Sequence, residues 1–296
     1  MELRELRYFI AVVKEGSILK AAQSLFITQP SLSRQMKNLE DEIGKPLFTR
    51  GTKKITLTET GILLYKRAEE ILDLYEKTNA ELAFSQDDIS GDIYIGGGES
   101  KTIDIVASVA KSIISLYPNI KFHFYSGDSS IILDKLDHGL IDFGIFVNPV
   151  DLSKYEYVNL PQKDTWGVLM RKDSELSEKE NITPEDLWDK PLIRSDQSMR
   201  KNNLFDWFKK DPTNLNIVAT YNLLFNASIL VEEGVGYAIG LDNIINTSGD
   251  SKLCFKPLNP PLYSTLVFAW KKHQVFSKAS GVFLKMMLEK LNNKES

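Results

Sequence analysis

The sequence is poor in the residue types that metal sites and many enzymes require. Among 296 residues there is one cysteine, Cys254, and there are three histidines, His123, His138 and His273. A single cysteine excludes an intrachain disulfide and fits a reducing compartment, and a small buried side chain is the expectation ahead of a reactive thiol. Because the histidines are far apart in the sequence, we expect no metal site and no cofactor.

Long apolar runs and enzyme motifs are missing as well. No stretch approaches the ~18 apolar residues of a membrane span, and the N-terminus has an acidic residue, Glu2, instead of a long apolar segment. The motifs G-x-S-x-G, G-x-G-x-x-G and H-E-x-x-H do not occur. We therefore expect a cytoplasmic protein without a membrane partner and without enzymatic activity.

Positive charge is concentrated at the N-terminal end. Residues 1–58 contain ten Lys and Arg against six Asp and Glu, which is a net charge of +4. Since the whole chain carries −4, the remaining residues carry −8. A basic end on an acidic body is typical of a local phosphate-binding module, and it indicates contact with nucleic acid.

Helical periodicity predicts three helices in this basic end. Apolar residues recur at helical spacing over residues 3–15, and Ser17 can cap a second helix over 18–25. Thr28 is a suitable N-cap for a third helix, which Gly44 ends. Two helices joined by a tight turn form the helix-turn-helix pattern, in which the second helix enters the major groove of DNA.

The third helix has an apolar side and an opposite side suited to DNA. The apolar stripe that should face the domain core consists of Leu32, Met36, Leu39 and Ile43. The other side is mostly polar or basic and presents Gln29, Pro30, Ser31, Ser33, Arg34 and Lys37. Because glutamine can form two hydrogen bonds to adenine and arginine two to guanine, this side indicates sequence-specific binding.

A two-stranded wing is predicted after the third helix. Two short β-like runs surround the tip Gly51-Thr52-Lys53-Lys54. A basic tip beside a recognition helix suits contact with phosphates or the minor groove. The alternative is that these charges only solvate a hairpin.

This segment resembles the LysR-type transcriptional regulators. The resemblance spans about sixty residues and is carried by Gly16-Ser17, Ala21-Ala22, Leu25, Gln29, Ser33, Met36, Leu39-Glu40, Ile43-Gly44, Leu47-Phe48, Arg50 and Leu57-Thr58-Glu59-Thr60-Gly61. It implies that the recognition helix, with Thr28 at its start, faces DNA, that Arg4 contacts phosphate, and that the wing acts through Arg50, Lys53 and Lys54. Gly51 departs from the longer or more arginine-rich wings often seen.

A long linker helix is predicted after Thr58, because no proline occurs from Glu59 to Ser90. Alternating steps of four and three residues define an a/d seam at Leu64, Ala68, Ile71, Tyr75, Thr78 and Leu82. The seam either pairs with a second copy or packs on its own chain. The resemblance favours antiparallel pairing in a homodimer, and a homotetramer when the effector domains pair as well.

Strands alternate with helices from residue 91 onward, which predicts a mostly parallel sheet. This order resembles a periplasmic-binding-protein-like fold of two α/β lobes. The expected fold class is a multidomain α+β protein with three parts: a winged helix-turn-helix at 1–58, a linker helix and hinge at 59–90, and a two-lobed α/β effector domain at 91–296. Lobe I should comprise about 91–160 and 267–296, and lobe II about 161–266.

Ligands of such folds lie between the lobes, at strand ends and helix starts. In the first lobe these positions are Glu99, Ser100, Lys101, Thr102, Ser126, Asp128, Ser129, Phe146 and Asn148. In the second lobe they are Ser195, Gln197, Tyr221 and Asn222. Glu99 and Lys101 oppose each other, so the ligand charge stays open. Each of these residues can instead cap its own helix, and Gly96-Gly97-Gly98 can be a simple turn.

These features predict a sequence-specific DNA-binding transcription regulator that a small-molecule effector controls. Its expected partners are double-stranded DNA, the effector and further copies of itself, and contact with the transcription machinery stays open. One alternative is a ligand-independent architectural DNA-binding protein, which the acidic body disfavours. The other is an enzyme using the α/β domain, which the shortage of histidine and cysteine disfavours.

Overall fold

A computed structural model of the chain has two units, Met1–Phe84 and Ser85–Ser296. It describes residues 1–49, 55–83, 89–147, 151–196 and 203–292. Five residues with predicted roles lie outside this part of the chain, namely Arg50, Lys53, Lys54, Asn148 and Gln197.

The described residues of the first unit form four helices and a pair of short antiparallel strands. Its elements are α1 (Leu3–Glu15), α2 (Ile18–Ser24), α3 (Gln29–Ile43), β1 (Phe48–Thr49), β2 (Thr56–Leu57) and α4 (Glu59–Ala83). The predicted helices of the basic end, the linker helix and the two strands of the wing are confirmed.

Helix α3 begins and ends at the predicted residues. The Oγ1 atom of Thr28 accepts a hydrogen bond from the Ser31 amide at 3.4 Å. Gly44 has a φ of 75°, and its amide donates to the Glu40 carbonyl oxygen at 2.8 Å. Ser17 occupies the N-cap position of α2, but within the described residues its side chain makes no capping hydrogen bond.

The apolar stripe of α3 lies in the core of the first unit. Leu32, Met36 and Leu39 are buried, and Ile43 packs against them half-buried. Their partners come from α1, α2, α4 and the segment before the wing, and include Leu6, Phe9, Val12, Ala21, Ala22, Leu47, Ala68 and Leu72. Because one side of α3 is anchored in this core, its opposite side faces outward.

The wing strands are attached directly to α3 and α4. Glu40 Oε1 accepts hydrogen bonds from the amides of Leu47 at 2.7 Å and Phe48 at 3.2 Å. Thr58 Oγ1 donates to the Pro46 carbonyl oxygen at 2.7 Å and accepts from the Gly61 amide at 3.0 Å. The position of the wing relative to the recognition helix is therefore set by backbone hydrogen bonds to two side chains.

The second unit contains nine strands, five helices and short 3-10 turns within the described residues. Its strands are β3 (Gly91–Gly97), β4 (Ile120–Ser126), β5 (Phe143–Val147), β6 (Tyr155–Arg171), β7 (Leu192–Ser195), β8 (Ile217–Tyr221), β9 (Tyr237–Leu241), β10 (Leu253–Pro257) and β11 (Tyr263–Lys271). Its helices are α5 (Ile103–Leu116), α6 (Ser129–Asp137), α7 (Asn203–Phe208), α8 (Leu224–Glu232) and α9 (Lys278–Asn292).

The strands form one mixed sheet in the order β4-β3-β5-β11-β6-β9-β7-β8, and β10 pairs with β6. Strand β3 is parallel to β4 and β5, and β7 is parallel to β8 and β9. The pairs β5–β11, β11–β6, β6–β9 and β6–β10 are antiparallel. The expectation of a mostly parallel sheet is therefore wrong, because two long antiparallel strands join the two parallel sets.

Strand β6 belongs to two hydrophobic cores, and β11 belongs to the first of them. In β6, Leu160 lies in the core around β3 and β5, whereas Val168 lies in the core around β7 and β9. The register of β11 against β6 shifts between Thr265 and Val267. The sequence analysis predicted only the apolar end of β6, because several polar residues and Pro161 interrupt the strand pattern over residues 155–165. Strand β10 was not predicted.

Cys254 lies half-buried in β10. Burial raises the pKa of its thiol, and its Sγ atom is 3.9 Å from the Arg171 carbonyl oxygen. A thiol with a raised pKa is less reactive at neutral pH, as expected for a packing residue.

No helix among the described residues is long and apolar enough to cross a membrane. No three of their His, Cys, Asp or Glu side chains are grouped so that they can hold a metal ion.

We expect Gly61→Ala to destabilise the first unit by about 2 kcal/mol or more, since a Cβ atom there would lie 2.2 Å from the Leu47 carbonyl oxygen. The matched control is Gly281→Ala in α9, where an added Cβ meets nothing within 4 Å. That substitution should stabilise the protein by about 0.5–1 kcal/mol. Urea unfolding measures both, and equal effects of the two substitutions would contradict the close packing at Gly61.

Candidate DNA-binding and effector sites

The outward side of α3 carries the residues that the sequence assigned to DNA. The exposed ones are Gln29, Pro30, Ser31, Arg34 and Lys37, and Ser33 is half-buried between them. Neither Arg34 nor Lys37 forms an ion pair with any residue in the described part of the chain. Two cations and an amide are thus held on a helix, and the cations have no ion-pair partner among the described residues, which suits a surface for phosphates and base edges.

Thr28 and Arg4 have mixed roles. Thr28 is exposed, and its hydroxyl oxygen caps α3, so it positions the helix start whatever else it contacts. Arg4 is exposed in the first turn of α1, with its Nη2 atom 3.5 Å from Glu2 Oε2. An exposed pair of this kind is weak, so Arg4 remains available to a phosphate.

The a/d seam predicted for α4 is only partly exposed. Ala68 is fully buried and Leu64 is half-buried, and both pack on the core of their own unit. Tyr75 is exposed but has the Arg7 guanidinium 5.7 Å from its ring centre. Ala68 is therefore corrected to an intrachain packing residue, because the first turns of α4 cover α1 and the wing.

A second apolar stripe of α4 faces outward. Its members, which we call the exposed stripe, are Leu63, Ile71, Leu74 and Leu82. Thr78 is exposed on the same side and donates to the Leu74 carbonyl oxygen at 2.8 Å. Ile71, Thr78 and Leu82 were part of the predicted seam. Leu63 and Leu74 were not predicted, because Leu64 and Ala68 of the seam pack on the core of their own unit and the exposed side of α4 is therefore rotated away from them.

In the second unit, the segment after β3 is bonded to strand β6. Ser100 Oγ donates to Asp164 Oδ2 at 2.5 Å, and Thr102 Oγ1 donates to Asp164 Oδ1 at 3.2 Å. The Thr102 amide also donates to Ser100 Oγ at 2.9 Å. The two predicted effector residues Ser100 and Thr102 are therefore brought together, and they meet on a carboxylate that the sequence analysis did not select.

Asp164 is only 5% exposed. Burial raises the pKa of its carboxyl, and the two hydroxyl donors oppose that effect, whereas the negative charge of Asp242 adds to it. The one signal for this site in the sequence was the position of Asp164, an acidic residue just before the apolar part of β6. The result is a buried acid whose two carboxylate oxygens both accept hydrogen bonds from the segment after β3.

Glu99 reaches from the same segment to helix α8. Its Oε2 atom accepts a hydrogen bond from the Leu224 amide at 2.5 Å. Leu224 is the first residue of α8, whose N-cap residue Leu223 makes no side-chain capping bond within the described residues. A negative carboxylate at the start of a helix satisfies a free amide and the positive end of the helix dipole. Glu99 therefore links the segment after β3 to the core around β7 and β9.

Tyr221 lies beside this link. Its hydroxyl donates to the Ile239 carbonyl oxygen at 2.7 Å. Burial raises the pKa of the phenol above its ordinary value, and the charge of Glu99 adds to the effect. Tyr221 is paired in register with Ser195, so two predicted residues of the second lobe occupy neighbouring strand ends.

The remaining predicted effector residues have local partners or open exposure. Asp128 caps α6 by accepting from the Ile131 amide at 2.9 Å. Lys101 is exposed with its Nζ atom 2.8 Å from Asp104 Oδ2. Ser129 is half-buried, whereas Ser126 and Asn222 are exposed.

Phe146 is corrected to a core residue. Its side chain is 1% exposed and packs with Ile132, Leu136 and Val267. Strand β5 is covered on both faces, because Phe143 on its opposite face lies in the core around β3 and β5. The Phe146 ring is therefore not accessible to a ligand.

Comparisons with known proteins agree with this architecture. The family model of bacterial regulatory helix-turn-helix proteins of the lysR family matches residues 3–62. The family model of the LysR substrate binding domain matches residues 86–292. A winged helix-turn-helix followed by this domain defines a class of transcription regulator with a ligand-binding unit.

The chain belongs to the LysR family of DNA-binding transcriptional regulators, because the two family models together match most of its length. It is 27% identical over 295 residues to YvbU of Bacillus subtilis (strain 168), an uncharacterized HTH-type transcriptional regulator, with 98% of each chain covered. It is 34% identical over 168 residues to the HTH-type transcriptional regulator BsdA of the same organism. That match covers 55% of this chain and 56% of the length of BsdA.

Solved structures share the fold. Full-length CbnR complexed with its target DNA superimposes with a TM-score of 0.74 at 19% sequence identity, and 99% of each chain is covered. At this identity the likeness concerns the fold alone.

We expect Asp164→Asn to change how stability depends on pH. Because burial raises the pKa of Asp164 in the folded chain, its protonated form favours folding. That contribution is complete below the ordinary aspartate pKa and is lost as the pH rises through the raised value. Wild-type stability should therefore fall relative to Asp164→Asn over this window, as measured by urea unfolding at a series of pH values.

Asp250→Asn is the matched control for net charge, since Asp250 is exposed in the same unit. Parallel pH profiles for Asp164→Asn and the wild type would show that burial of this carboxyl has no energetic consequence.

Proposed function

We propose that this chain is a sequence-specific transcription regulator whose DNA binding responds to a small molecule bound between the two lobes of its second unit. The observation that carries the proposal is the polar and basic side of α3. This side is exposed because the apolar stripe on the opposite side is buried in the core of the first unit. The structural likeness to CbnR, which was solved with its target DNA, supports this role for the first unit. We assign no enzymatic activity to the chain, and we place it in the cytoplasm with the DNA it regulates.

The roles on DNA divide between base edges and phosphates. Gln29 and Arg34 read bases from the start of α3, because their side chains can each form two hydrogen bonds to one base. The remaining contacts position the duplex and involve Arg4, Thr28, Pro30, Ser31, Ser33 and Lys37 from the described residues, with Arg50, Lys53 and Lys54 of the wing.

The domain boundaries follow the same proposal. Residues 1–58 form the winged helix-turn-helix, 59–90 the linker helix and hinge, and 91–296 the effector domain. Within that domain β6 changes core between Leu160 and Val168, which supports lobes at about 91–160 with 267–296 and at about 161–266.

A homodimer would form through the exposed stripe of α4. A helix that leaves several leucine and isoleucine side chains exposed along one side is unfavourable in water unless a partner covers them. Pairing of two such helices would place two recognition helices on two-fold-related half-sites. A homotetramer would form if the effector domains pair as well.

Effector control would act through the bonds that join the two lobes. The Glu99–Leu224 hydrogen bond connects the segment after β3 to α8. Ser100 and Thr102 donate hydrogen bonds to Asp164 of β6. A ligand that enters here must replace or reinforce these bonds. A ligand with different affinity for two lobe arrangements shifts their populations, and this shift is what the DNA-binding units would sense.

We expect Gln29→Ala and Arg34→Ala each to weaken binding to a selected DNA duplex roughly tenfold to a hundredfold, because each removes contacts to a base. Fluorescence anisotropy with a labelled duplex, selected from a random library by the full chain, measures the loss. Lys14→Ala is the matched control, since Lys14 is an exposed cation of α1 whose Nζ atom lies 3.5 Å from Glu69 Oε1. Unchanged affinity in both α3 variants would remove the recognition role of this surface.

We expect Leu74→Glu and Leu82→Glu to convert dimers to monomers, since both place charge within the exposed stripe. Sedimentation equilibrium of the full chain measures the mass. Ile62→Glu is the control, because Ile62 is also exposed on α4 but helical spacing places it off the stripe. A wild-type chain that is monomeric at micromolar concentration would contradict the dimer.

We expect at least one compound in a library of small organic acids, amines and sugars to raise the melting temperature of the full chain. At a concentration one hundred times Kd the rise should be about 5–10 °C. Glu99→Gln and Ser100→Ala should reduce this rise, whereas Ser112→Ala, an exposed hydroxyl of α5, should keep it. An equal rise in all three variants would place the ligand elsewhere.

A further inference from the structure

Phe26 stands out in the turn between α2 and α3. Its side chain is 95% exposed, and its φ is 55°. Within the described part of the first unit, it is the one non-glycine residue with a positive φ. A large aromatic ring in a left-handed backbone conformation on the surface of a small domain is therefore the feature that needs an explanation.

The left-handed conformation ends α2, because it lets the Ile27 amide donate to the Ala22 carbonyl oxygen, but this role does not require a phenylalanine. The left-handed region disfavours residues that have a Cβ atom, and glycine or asparagine adopts it at less cost. An exposed ring also contributes no burial of apolar surface. A residue that is unfavourable on both counts is typical of positions where a partner uses the side chain.

The turn holds Phe26 in place. Its amide donates to the Gln23 carbonyl oxygen at 3.2 Å, and the next amide, that of Ile27, donates to Ala22 at 2.9 Å. The Ile27 side chain packs against the core of the unit. Because the turn is bonded on one side of Phe26 and anchored on the other, the ring projects from a defined point.

That point lies at the start of the recognition helix. Phe26 precedes the N-cap Thr28 by two residues and Gln29 by three, so its exposed ring leaves the backbone within three residues of the first side chain assigned to base edges. A duplex that receives the first turn of α3 in its major groove brings its own apolar groups to the same place. These groups are the C5-methyl of thymine and the hydrophobic side of deoxyribose.

We propose that Phe26 packs against an apolar patch of the DNA duplex, a thymine methyl or a deoxyribose, and so adds apolar contact to the polar contacts of α3. This inference rests on the proposed DNA-facing role of that helix. The contact carries no charge, so it strengthens binding without adding to the dependence of affinity on salt. The unfavourable conformation in the free protein is then offset when the ring is buried on DNA.

The test compares Phe26→Gly and Phe26→Asn with the wild type on a duplex selected from a random library by the full chain. Both variants should raise the melting temperature, because they relieve the positive φ. Both should weaken DNA binding roughly five- to tenfold, which is the effect expected for losing burial of about half a phenylalanine ring. The slope of log affinity against log salt concentration should stay at the wild-type value.

His273→Gly is the matched control. His273 has a φ of 59° and is exposed, but it belongs to the second unit. The same relief of backbone strain there should raise the melting temperature and leave DNA affinity unchanged.

A second arm identifies the apolar group on DNA. Each thymine of the selected duplex is replaced in turn by deoxyuridine, which lacks the methyl group. A position whose replacement weakens binding of the wild type but not of Phe26→Gly assigns the contact to that thymine. If no position behaves in this way while both Phe26 variants still bind more weakly, the contact is to deoxyribose.

Wild-type affinity in both Phe26 variants, together with a loss of binding in Gln29→Ala, overturns the inference and leaves the recognition role of α3 intact. If Gln29→Ala and Arg34→Ala also bind as the wild type does, the proposed DNA surface itself fails. A changed salt slope in the Phe26 variants likewise overturns the inference, because it means that the substitutions disturb phosphate contacts.

Discussion

The antiparallel pairing of β6 with β11 is the constraint on which the second unit depends. The two strands pair in the middle of one sheet, and β6 contributes residues to the hydrophobic cores on both sides of this pair. Asp164 lies on β6 opposite Ser264, where the strands cross between the cores. The bonds from Ser100 and Thr102 to Asp164 therefore lie on the strand pair that joins the two parallel sets of strands.

The first unit applies a simpler constraint to its recognition helix. A helix buries one side, and Leu32, Met36 and Leu39 use that side of α3 entirely for the core. Glu40 on the same helix holds the start of the wing through two backbone amides. The side of α3 that we propose for DNA thus consists of side chains that the core of the unit does not use.

Most elements could be predicted from the sequence because they depend on local patterns. Thr28 and Gly44 mark the ends of α3 by their own hydrogen-bonding and conformational preferences, and helical spacing identifies its buried stripe. The same reasoning failed where burial comes from distant chain. Ala68 and Phe146 look like interface and cleft residues in the sequence, but α1 covers the first, and α6 and β11 cover the second. The polar half of β6 has no local strand signal and is stabilised by pairing with β11.

The amino-acid sequence alone thus determined the order of helices and strands, the two sides of α3 and the family to which the chain belongs, because periodicity, caps and a dense motif act over a few neighbouring residues. Only the tertiary structure decided that Asp164 of β6 accepts the hydrogen bonds of Ser100 and Thr102, that Glu99 caps the start of α8, and which stripe of α4 stays exposed. Each of these depends on contacts between residues that are dozens of positions apart, and no local pattern specifies which distant surfaces meet.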